Sequence, residues 1–328
     1  MSKVFEAWNS FWFRPQSTST LAVVRVCLAL VLLAWALTLG PDLLSFFGSR
    51  GILPRQPGYA TSGQRGAWSL LGFNPGNGAI IGFYFAFIVA LLCLLVGFQT
   101  RVAAVLVFCG IVSFTRRDPY VFNSGDYLLR VMAFYLMLAP AGAALSVDRW
   151  RKARRGEVNF WEHPKRAPWP LRLMQLQLSV IYLATVWAKT GGTTWRDGTA
   201  TIYALRIQFI TRLPLPHLMT RSLLMSNLLT YGTLATELAL GTLVWNRRLR
   251  PWVLCLGVGF HLAIDYMLRV GFFSYGMLVL YLAFIPPETM DRLVLRVAER
   301  VQRRSGHPRP TIPAAFATTS NAAVEPAP

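Results

Sequence analysis

Long apolar stretches separated by short polar segments dominate the pattern of this chain. A helix needs about 20 mostly apolar residues to cross a bilayer, and eight stretches approach or reach that length. We expect spans at 20–40, 79–98, 102–114, 127–147, 171–190, 222–245, 251–268 and 270–287. The third is short, so we expect it to be tilted or partly interfacial. The pattern therefore predicts an all-α, polytopic membrane helical bundle with eight transmembrane helices.

Amphipathic segments flank the predicted bundle at both ends. In the first, Phe5, Trp8 and Trp12 follow at spacings of three and four, which predicts an interfacial helix with an aromatic stripe. In the second, one helical face is apolar and another is rich in arginine, which is typical of helices that lie on an anionic leaflet. The division is an N-terminal helix at 1–18, a transmembrane domain at 19–287, a basic C-terminal helix at 288–305 and a Pro/Ala-rich tail, expected to be disordered, at 306–328.

Composition agrees with a membrane protein, because 54% of the 328 residues are hydrophobic and only 14% are charged. Such a balance excludes a soluble enzyme, a disulfide-stapled secreted domain and a coiled coil. If the N-terminus lies inside, twenty of the 33 Lys and Arg residues fall in inside segments and ten in outside segments. This asymmetry satisfies the positive-inside rule. We expect both termini in the cytoplasm, the bilayer as the main partner and no nucleic acid.

The cysteines give no indication of a metal or redox site. All four lie in apolar stretches, without CxxC spacing and without a neighbouring histidine pair. We expect buried, inert thiols at Cys27, Cys93, Cys109 and Cys255.

Ionisable side chains inside the expected spans are the first candidates for function. Each costs about 2.5–3.5 kcal/mol on insertion scales, so its presence calls for a reason. The set comprises Arg25, Asp126, Arg130, Lys189, Glu237, His261 and Asp265. His261 and Asp265 are four residues apart and share a helix face, as do Asp126 and Arg130. Acids, a lysine and a histidine around an outward-opening cavity can carry proton transfer.

Lysine is rare in this chain, which directs attention to one position. Lys3, Lys152 and Lys165 lie in the expected cytoplasmic flanks, whereas Lys189 lies at the end of a span near the opposite face. Lysine, unlike arginine, loses its proton readily in apolar surroundings, and only the neutral amine accepts a proton. We therefore expect Lys189 to act as a general base.

A structural interpretation of the same residues remains open. Lys189 can extend from a span end to the head groups, and His261 can be a hydrogen-bonded packing residue. Three ion pairs would also account for charges in the bundle: Asp126 with Arg130, Asp265 with Arg269, and Arg25 with Glu237. The remaining histidines lie in loops or the tail beside prolines and are assigned no role: His163, His217 and His307.

Several motifs resemble those of a known family. The first is Q-x-Q-x-x-x-I-Y, then a lysine, then W-x-x-G, formed by Gln175, Gln177, Ile181, Tyr182, Lys189, Trp195 and Gly198. The second is a histidine, then G-x-F-x-Y and a proline-ended helix, formed by His261, Gly271, Phe273, Tyr275 and Pro286. Asn-Ser-Gly-Asp at 123–126 and Gly-Ile-Leu-Pro at 51–54 add to these. Over about 5–305 the chain resembles the HTTM domain, the membrane domain of the vitamin K-dependent gamma-carboxylase superfamily.

The resemblance implies a function as well as a fold. In the carboxylase, a membrane-embedded lysine deprotonates vitamin K hydroquinone, and the matching position here is Lys189, by its K-x5-W-x-x-G context. A quinone is therefore the implied cofactor. Small bacterial members include a protein needed to mature a sporulation-delaying peptide toxin, which implies a secreted peptide substrate and a bacterial inner membrane. The chain ends after its last span and has Asp126 near the place of a carboxylase histidine, which weighs against gamma-carboxylation itself.

The sequence-based hypothesis is a membrane protein that modifies or matures a peptide or a quinone or lipid substrate at an outward-facing intramembrane site. Its expected catalytic residues are Lys189, Asp126, His261 and Asp265. Its expected substrate-binding residues are Trp195, Arg130, Glu237 and Tyr275. The rival hypothesis is a non-enzymatic receptor, immunity-like protein or scaffold. Either is compatible with a partner membrane or redox protein.

Overall fold

The computed structural model describes residues 2–52, 68–72, 75–118, 120–213 and 221–305, where the chain forms fourteen α-helices and two short strands. The helices are α1 (Lys3–Phe13), α2 (Ser19–Leu39), α3 (Leu43–Phe47), α4 (Asn77–Val96), α5 (Thr100–Arg117), α6 (Ser124–Leu138), α7 (Val147–Arg154), α8 (Trp169–Thr190), α9 (Thr193–Arg196), α10 (Ala200–Leu205), α11 (Leu223–Thr242), α12 (Arg250–Met267), α13 (Phe273–Leu282) and α14 (Pro287–Ser305). A 3-10 turn, Leu243–Trp245, follows α11, and strands β1 (Gln16–Ser17) and β2 (Lys165–Arg166) pair antiparallel. The predicted all-α class is confirmed. The predicted tail at 306–328 lies outside the described residues, as do His217, His307 and Pro54.

Helix α2 lies at the centre of the bundle. It packs against α4, α6, α13 and α14, and Leu28 and Leu32 along it are fully buried. Near its C-terminal end, the ring of Trp35 meets Phe87 of α4 edge-on, with the ring centroids 6.1 Å apart. The most apolar part of the predicted first span thus becomes the core on which the other helices are arranged.

Large apolar side chains cover the outside of the bundle. Phe85 is 61% exposed, Trp187 83% and Trp252 76%. A protein in water rarely leaves extended apolar faces uncovered, whereas lipid tails solvate them. Helices α2, α4 and α8 have the length and composition needed to cross a membrane, and α13 is a shorter apolar helix. The structure therefore supports a membrane protein, and the number of eight spans stays a prediction.

Three predicted spans have different bounds in the structure. The third, expected to be short at 102–114, is the 18-residue helix α5. The fourth, expected at 127–147, ends at Leu138, because Pro140 follows and disfavours a continued helix. The eighth, expected to reach residue 287, ends at Leu282, and α14 begins at Pro287.

The turn after α6 wraps around a fully buried arginine. Arg25 of α2 donates hydrogen bonds to the carbonyl oxygens of Ala141 at 2.7 Å, Ala144 at 3.3 Å and Leu145 at 2.6 Å. These carbonyls lie in a largely buried turn, where backbone acceptors need hydrogen-bond donors, and the guanidinium supplies them. The predicted ion pair of Arg25 with Glu237 is therefore wrong.

The C-terminal helix α14 packs against α2 and β1 at one end of the bundle, which we call the terminal end. This end also carries α1, β2 and α7. Asp291 of α14 accepts a hydrogen bond from Ser17 Oγ at 2.9 Å and lies 2.6 Å from His163 Nδ1. Ser19 Oγ donates to the carbonyl of Pro287 at 3.4 Å. His163, for which no role is predicted, thus anchors the C-terminal helix to the bundle.

Candidate functional site

Lys189 lies where three helices meet, at the end of the bundle opposite the terminal end. From the last turn of α8, its ammonium forms an ion pair with Glu237 Oε1 of α11. The Trp195 ring of α9 lies 4.7 Å from Lys189 Nζ, in cation–π geometry. The Lys189 side chain is 22% exposed and that of Glu237 only 9%. The structure thus brings together three of the predicted site residues.

Close packing of α8 against α11 places Glu237 opposite Lys189. Gly241, one turn after Glu237, faces Tyr182 and Leu183 of α8, and a Cβ added there would lie 3.2 Å from the Leu183 side chain. Tyr182 lies two turns before Lys189 on α8. Lys189 follows Tyr182 on α8, whereas its partner Glu237 precedes Gly241 on α11. The two helices therefore run antiparallel.

The loop that follows α8 holds Trp195 in place. Gly198 has a φ of 71°, and a side chain there would collide with the Asn227 amide, 2.1 Å from the added Cβ. This left-handed conformation favours glycine. Ser226 Oγ of α11 donates to the Gly198 carbonyl at 2.9 Å. The loop is thereby tied to the first turns of α11, the helix that carries Glu237.

His261 belongs to a second polar cluster within the same group of helices. Its Nε2 lies 2.7 Å from the hydroxyl of Tyr182, which is also hydrogen bonded to the hydroxyl of Tyr281. All three side chains are buried. Gly257, one turn before His261, leaves room for the Tyr281 hydroxyl, because an added Cβ would lie 2.7 Å from it. His261 Nδ1 has no hydrogen-bond partner among the described residues.

One oxygen of the ion pair also lacks a partner. Glu237 Oε1 bonds to Lys189, but the buried Oε2 has no hydrogen-bond partner in the described part of the chain. An unsatisfied buried acceptor costs about 1–3 kcal/mol. A substrate O–H or N–H group placed there would remove that cost. Carboxylate and amine together can then accept a proton from the bound group.

Asp126 and Arg130 are held apart from this pair. Asp126 Oδ1 accepts from Trp35 Nε1 and Oδ2 from the Asn123 N–H, both at 2.7 Å, so the carboxylate caps α6 and ties it to α2. The Arg130 guanidinium lies 4.6 Å from the centre of the Tyr127 ring. The predicted Asp126–Arg130 ion pair does not form, and no described hydrogen bond joins either residue to Lys189 or His261.

Asp265 and Tyr275 form a separate group beside the loop before residue 213. Asp265 Oδ2 accepts from the Tyr275 hydroxyl at 2.9 Å, and its Oδ1 lies 3.9 Å from Arg212 Nη2. The Arg212 N–H donates to the Met267 carbonyl at 2.8 Å, which fastens the loop to the end of α12. The ionic partner of Asp265 is therefore Arg212, and the predicted pair with Arg269 does not form.

The cysteines are free, but not all are buried. Cys27, Cys93 and Cys109 are half-buried and Cys255 is exposed on α12, so the prediction of four buried thiols is wrong. Within the described residues, no group of three or more His, Cys, Asp or Glu side chains could hold a metal ion.

The sequence points to Lys189 but not to the residues that contact it or that complete the second cluster. The sequence pattern pairs Glu237 with Arg25, and Tyr281 and Gly257 belong to none of the motifs. Tyr182 entered only as part of a family motif. One signal in the sequence points to the contact of Tyr182 with His261. A buried tyrosine hydroxyl usually requires a hydrogen-bond partner, and His261 is the polar residue nearest to the middle of an apolar helix.

Comparison with known proteins places the chain in a family. The HTTM domain family matches residues 70–288, a range that contains Lys189, Trp195, Glu237 and His261. No curated protein and no solved structure matches the chain. Because the match covers most of the chain and the whole of the site, the protein belongs to the HTTM domain family.

Proposed function

We propose that this multi-pass protein of the bacterial inner membrane modifies or matures a peptide, or a quinone or lipid substrate, by proton transfer at the Lys189–Glu237 pair. The observation that carries the proposal is the buried Glu237 Oε2, which has no hydrogen-bond partner among the described residues, beside a lysine that is partly exposed. An ion pair that served only to join α8 and α11 would favour full satisfaction of its buried oxygens.

In this proposal the two side chains act as one proton acceptor. A substrate O–H or N–H donates to Glu237 Oε2, while Lys189 holds Oε1 and orients the carboxylate. Transfer of the Lys189 proton to Glu237 leaves a neutral amine, which is the form that acts as general base. Trp195 lines the entrance and stabilises the cationic form of the lysine.

The other candidate residues have supporting roles in this proposal. His261, through Tyr182, positions α8 two turns away from Lys189. Asp265 and Tyr275 shape the approach for substrate at the Lys189 end of the bundle. Asp126, with both oxygens engaged, supports the packing of α6 and not the chemistry.

A hydroquinone fits the chemistry of the pair, and so does a peptide. A hydroquinone supplies an acidic hydroxyl, which is a donor of the kind that no described residue provides to Glu237 Oε2. Lys189 and Glu237 would hold that hydroxyl, and Trp195 would border it. A peptide N–H or a side-chain carboxyl group is a donor of the same kind, so the pair does not by itself select one substrate class.

Substitution of Lys189 separates chemistry from structure. Lys189→Arg preserves the positive charge beside Glu237, but arginine does not release its proton. We expect the K189R protein to accumulate and unfold like wild type, while it fails to complement a strain that lacks the gene. Lys152→Arg, the same change at the terminal end, is the matched control and should complement fully. Full complementation by both Lys189→Arg and Lys189→Ala would contradict the proposal.

A non-enzymatic receptor, immunity-like protein or scaffold is the second candidate function. It is favoured by the geometry of Lys189 and Glu237, which joins α8 to α11 as interhelical polar contacts do. The double variant Lys189→Glu with Glu237→Lys tests it. Rescue of both stability and phenotype by the double swap, after loss in each single variant, would favour the scaffold, because a catalytic pair would not tolerate exchange of its groups.

A further inference from the structure

A cavity of about 700 Å³ opens at the terminal end of the bundle, away from Lys189. Its floor is the turn after α6, at 139–143, and its walls come from the starts of α5 and α7 and from the segment around β2. The hydrogen bonds of Asp291 to Ser17 and His163 hold these segments beside α14. The cavity therefore lies level with the amphipathic helix α14.

The one carboxylate that lines the cavity is already engaged. Asp148 accepts hydrogen bonds from the Gln99 N–H at 2.8 Å, the Thr100 N–H at 2.9 Å and the Thr100 hydroxyl at 2.7 Å. These contacts satisfy the first turn of α5. Asp148 thus caps a helix. Its negative charge offsets only one of the cationic side chains that line the cavity, so the lining keeps a positive excess.

Six cationic side chains line the same cavity. Arg151 stacks on the Phe98 ring at 5.4 Å, and two others have hydrogen-bond or ionic partners in the described part of the chain. Arg149 donates to the carbonyls of Asn159 at 2.6 Å and Phe160 at 3.1 Å. Arg155 lies 3.8 Å from Glu157. The other four are exposed and have no carboxylate partner in the described part of the chain: Arg101, Arg151, Lys152 and Arg166.

A buried cation lies directly behind the cavity floor. Arg25 donates to the carbonyl of Ala141, a floor residue, and within the described part of the chain its hydrogen bonds go to neutral carbonyl groups. Its positive charge therefore adds to that of the rim. Gly142 keeps the floor close to α5, because an added Cβ would lie 2.5 Å from the Thr100 hydroxyl.

We propose that this cavity binds a phosphate-bearing anion at the level of the lipid head groups, through Arg101, Arg151, Lys152 and Arg166. Arginine forks match phosphate oxygens, and lysine adds a point charge. The volume exceeds what one phosphate fills and suits a head group with two phosphates. Basic pockets at the cytoplasmic ends of membrane helices bind such head groups. An anionic phospholipid is one source of this chemistry and a soluble diphosphate is the other.

The test uses the full-length protein in phosphatidylcholine nanodiscs. One arm adds cardiolipin and measures retained lipid by native mass spectrometry, and the other adds inorganic pyrophosphate. The cavity variant is Arg101→Gln, Arg151→Gln and Lys152→Gln combined. The matched control combines Arg14→Gln, Arg247→Gln and Arg248→Gln, which remove the same charge from exposed positions outside the cavity. Thermal unfolding in phosphatidylcholine alone shows that both triple variants fold.

We expect wild type and the control to retain cardiolipin, and the cavity variant to bind it about 10-fold more weakly or worse. Binding of pyrophosphate without retention of lipid would assign the site to a soluble phosphate and uphold the phosphate chemistry. Equal loss in both triple variants would overturn the proposal, because general charge would then explain binding, and so would failure of wild type to bind either probe. Lys189→Arg should retain wild-type binding, which makes this outcome independent of the proposed function.

Discussion

Three charged side chains within this bundle have three different kinds of partner. Arg25 donates to backbone carbonyls, Asp126 accepts from N–H groups, and Lys189 pairs with a carboxylate. The sequence identified all three as residues that need a reason, because charge in an apolar helix is costly. It did not identify their partners. Spacing along one helix reports neighbours on that helix and not those on the next.

The hydrogen-bonded cluster of Tyr182, Tyr281 and His261 depends on the space that Gly257 leaves. Gly257→Ala would place a methyl group 2.7 Å from the Tyr281 hydroxyl, so the hydroxyl must move and leave Tyr182 underbonded. We expect a loss of about 1–3 kcal/mol in the free energy of unfolding, measured by thermal or denaturant unfolding in detergent.

Gly259→Ala is the matched control for that variant, since nothing lies within 4 Å of an added Cβ there. Alanine favours a helix over glycine by up to about 1 kcal/mol, so this variant should be neutral or more stable. Equal effects of Gly257→Ala and Gly259→Ala would show that the close contact with Tyr281 does not matter.

The hydropathy pattern predicted the first residues of the helices more accurately than the last ones. Helices α2, α4, α8, α11 and α12 begin within two residues of the predicted spans. Helix α6 ends nine residues before the predicted end of its span, because Pro140 disfavours a continued helix. The prediction was too long because the segment after Leu138 stays apolar while it turns around Arg25. Hydropathy depends on composition alone. It therefore cannot distinguish a membrane-spanning helix from an apolar turn whose carbonyls accept hydrogen bonds from a buried guanidinium.

In helix α14 too, the apolar pattern does not show which side chains are buried in the protein. The predicted single apolar face divides in two: Met290 is buried in the protein, whereas Leu293 and Val297 are exposed. Asp291 lies on the buried side, where it meets Ser17 and His163. The exposed stripe is available to the bilayer, while the buried stripe fastens α14 to α2.

The attachment of α14 to the rest of the bundle should weaken at acid pH. Burial acts to raise the pKa of Asp291, but hydrogen bonds from His163, Ser19 and Ser17 outweigh it and hold the pKa below its usual value. The unfolded-state pKa is about 3.9. The stabilisation is therefore complete above about pH 4 and is lost as the pH falls through the lower folded-state value. Hydrogen exchange within α14 should accelerate in that window.

Asp291→Asn isolates this effect. We expect it to weaken the docking of α14 by about 1–3 kcal/mol at neutral pH, and to remove the acid-dependent part of its hydrogen exchange. Glu299→Gln, on the same helix and without an ion pair among the described residues, is the control. Unchanged exchange in the Asp291→Asn protein would show that packing of α14 does not depend on this carboxylate.

In the whole molecule, the polar features separate to two ends. The terminal end holds α1, α7, α14 and the basic cavity, and the opposite end holds Lys189 with Trp195. The basic segments from which a cytoplasmic face is predicted are those of the terminal end. The apolar belt between the two ends is the surface that lipid would cover.

Cysteine labelling in cells tests this orientation. In a variant with the four native cysteines replaced by serine or alanine, we introduce Thr194→Cys at the Lys189 end and Arg248→Cys near the terminal end, both at exposed positions. A membrane-impermeant maleimide should label Thr194→Cys in intact cells and Arg248→Cys only after permeabilisation, as the positive-inside rule requires. The reverse pattern, or equal labelling of both, would contradict the predicted topology.

The sequence by itself determined the class of the protein and its family, and it singled out Lys189 as the central candidate for a site. Hydropathy and charge asymmetry are properties of a one-dimensional pattern, and Lys189 is recognisable from its rarity and its motif. Only the tertiary structure decided that Glu237 is the partner of Lys189. Contacts between helices depend on rotation and separation, and these are set here by small residues such as Gly241 and Gly257, which admit neighbours that no spacing rule can name.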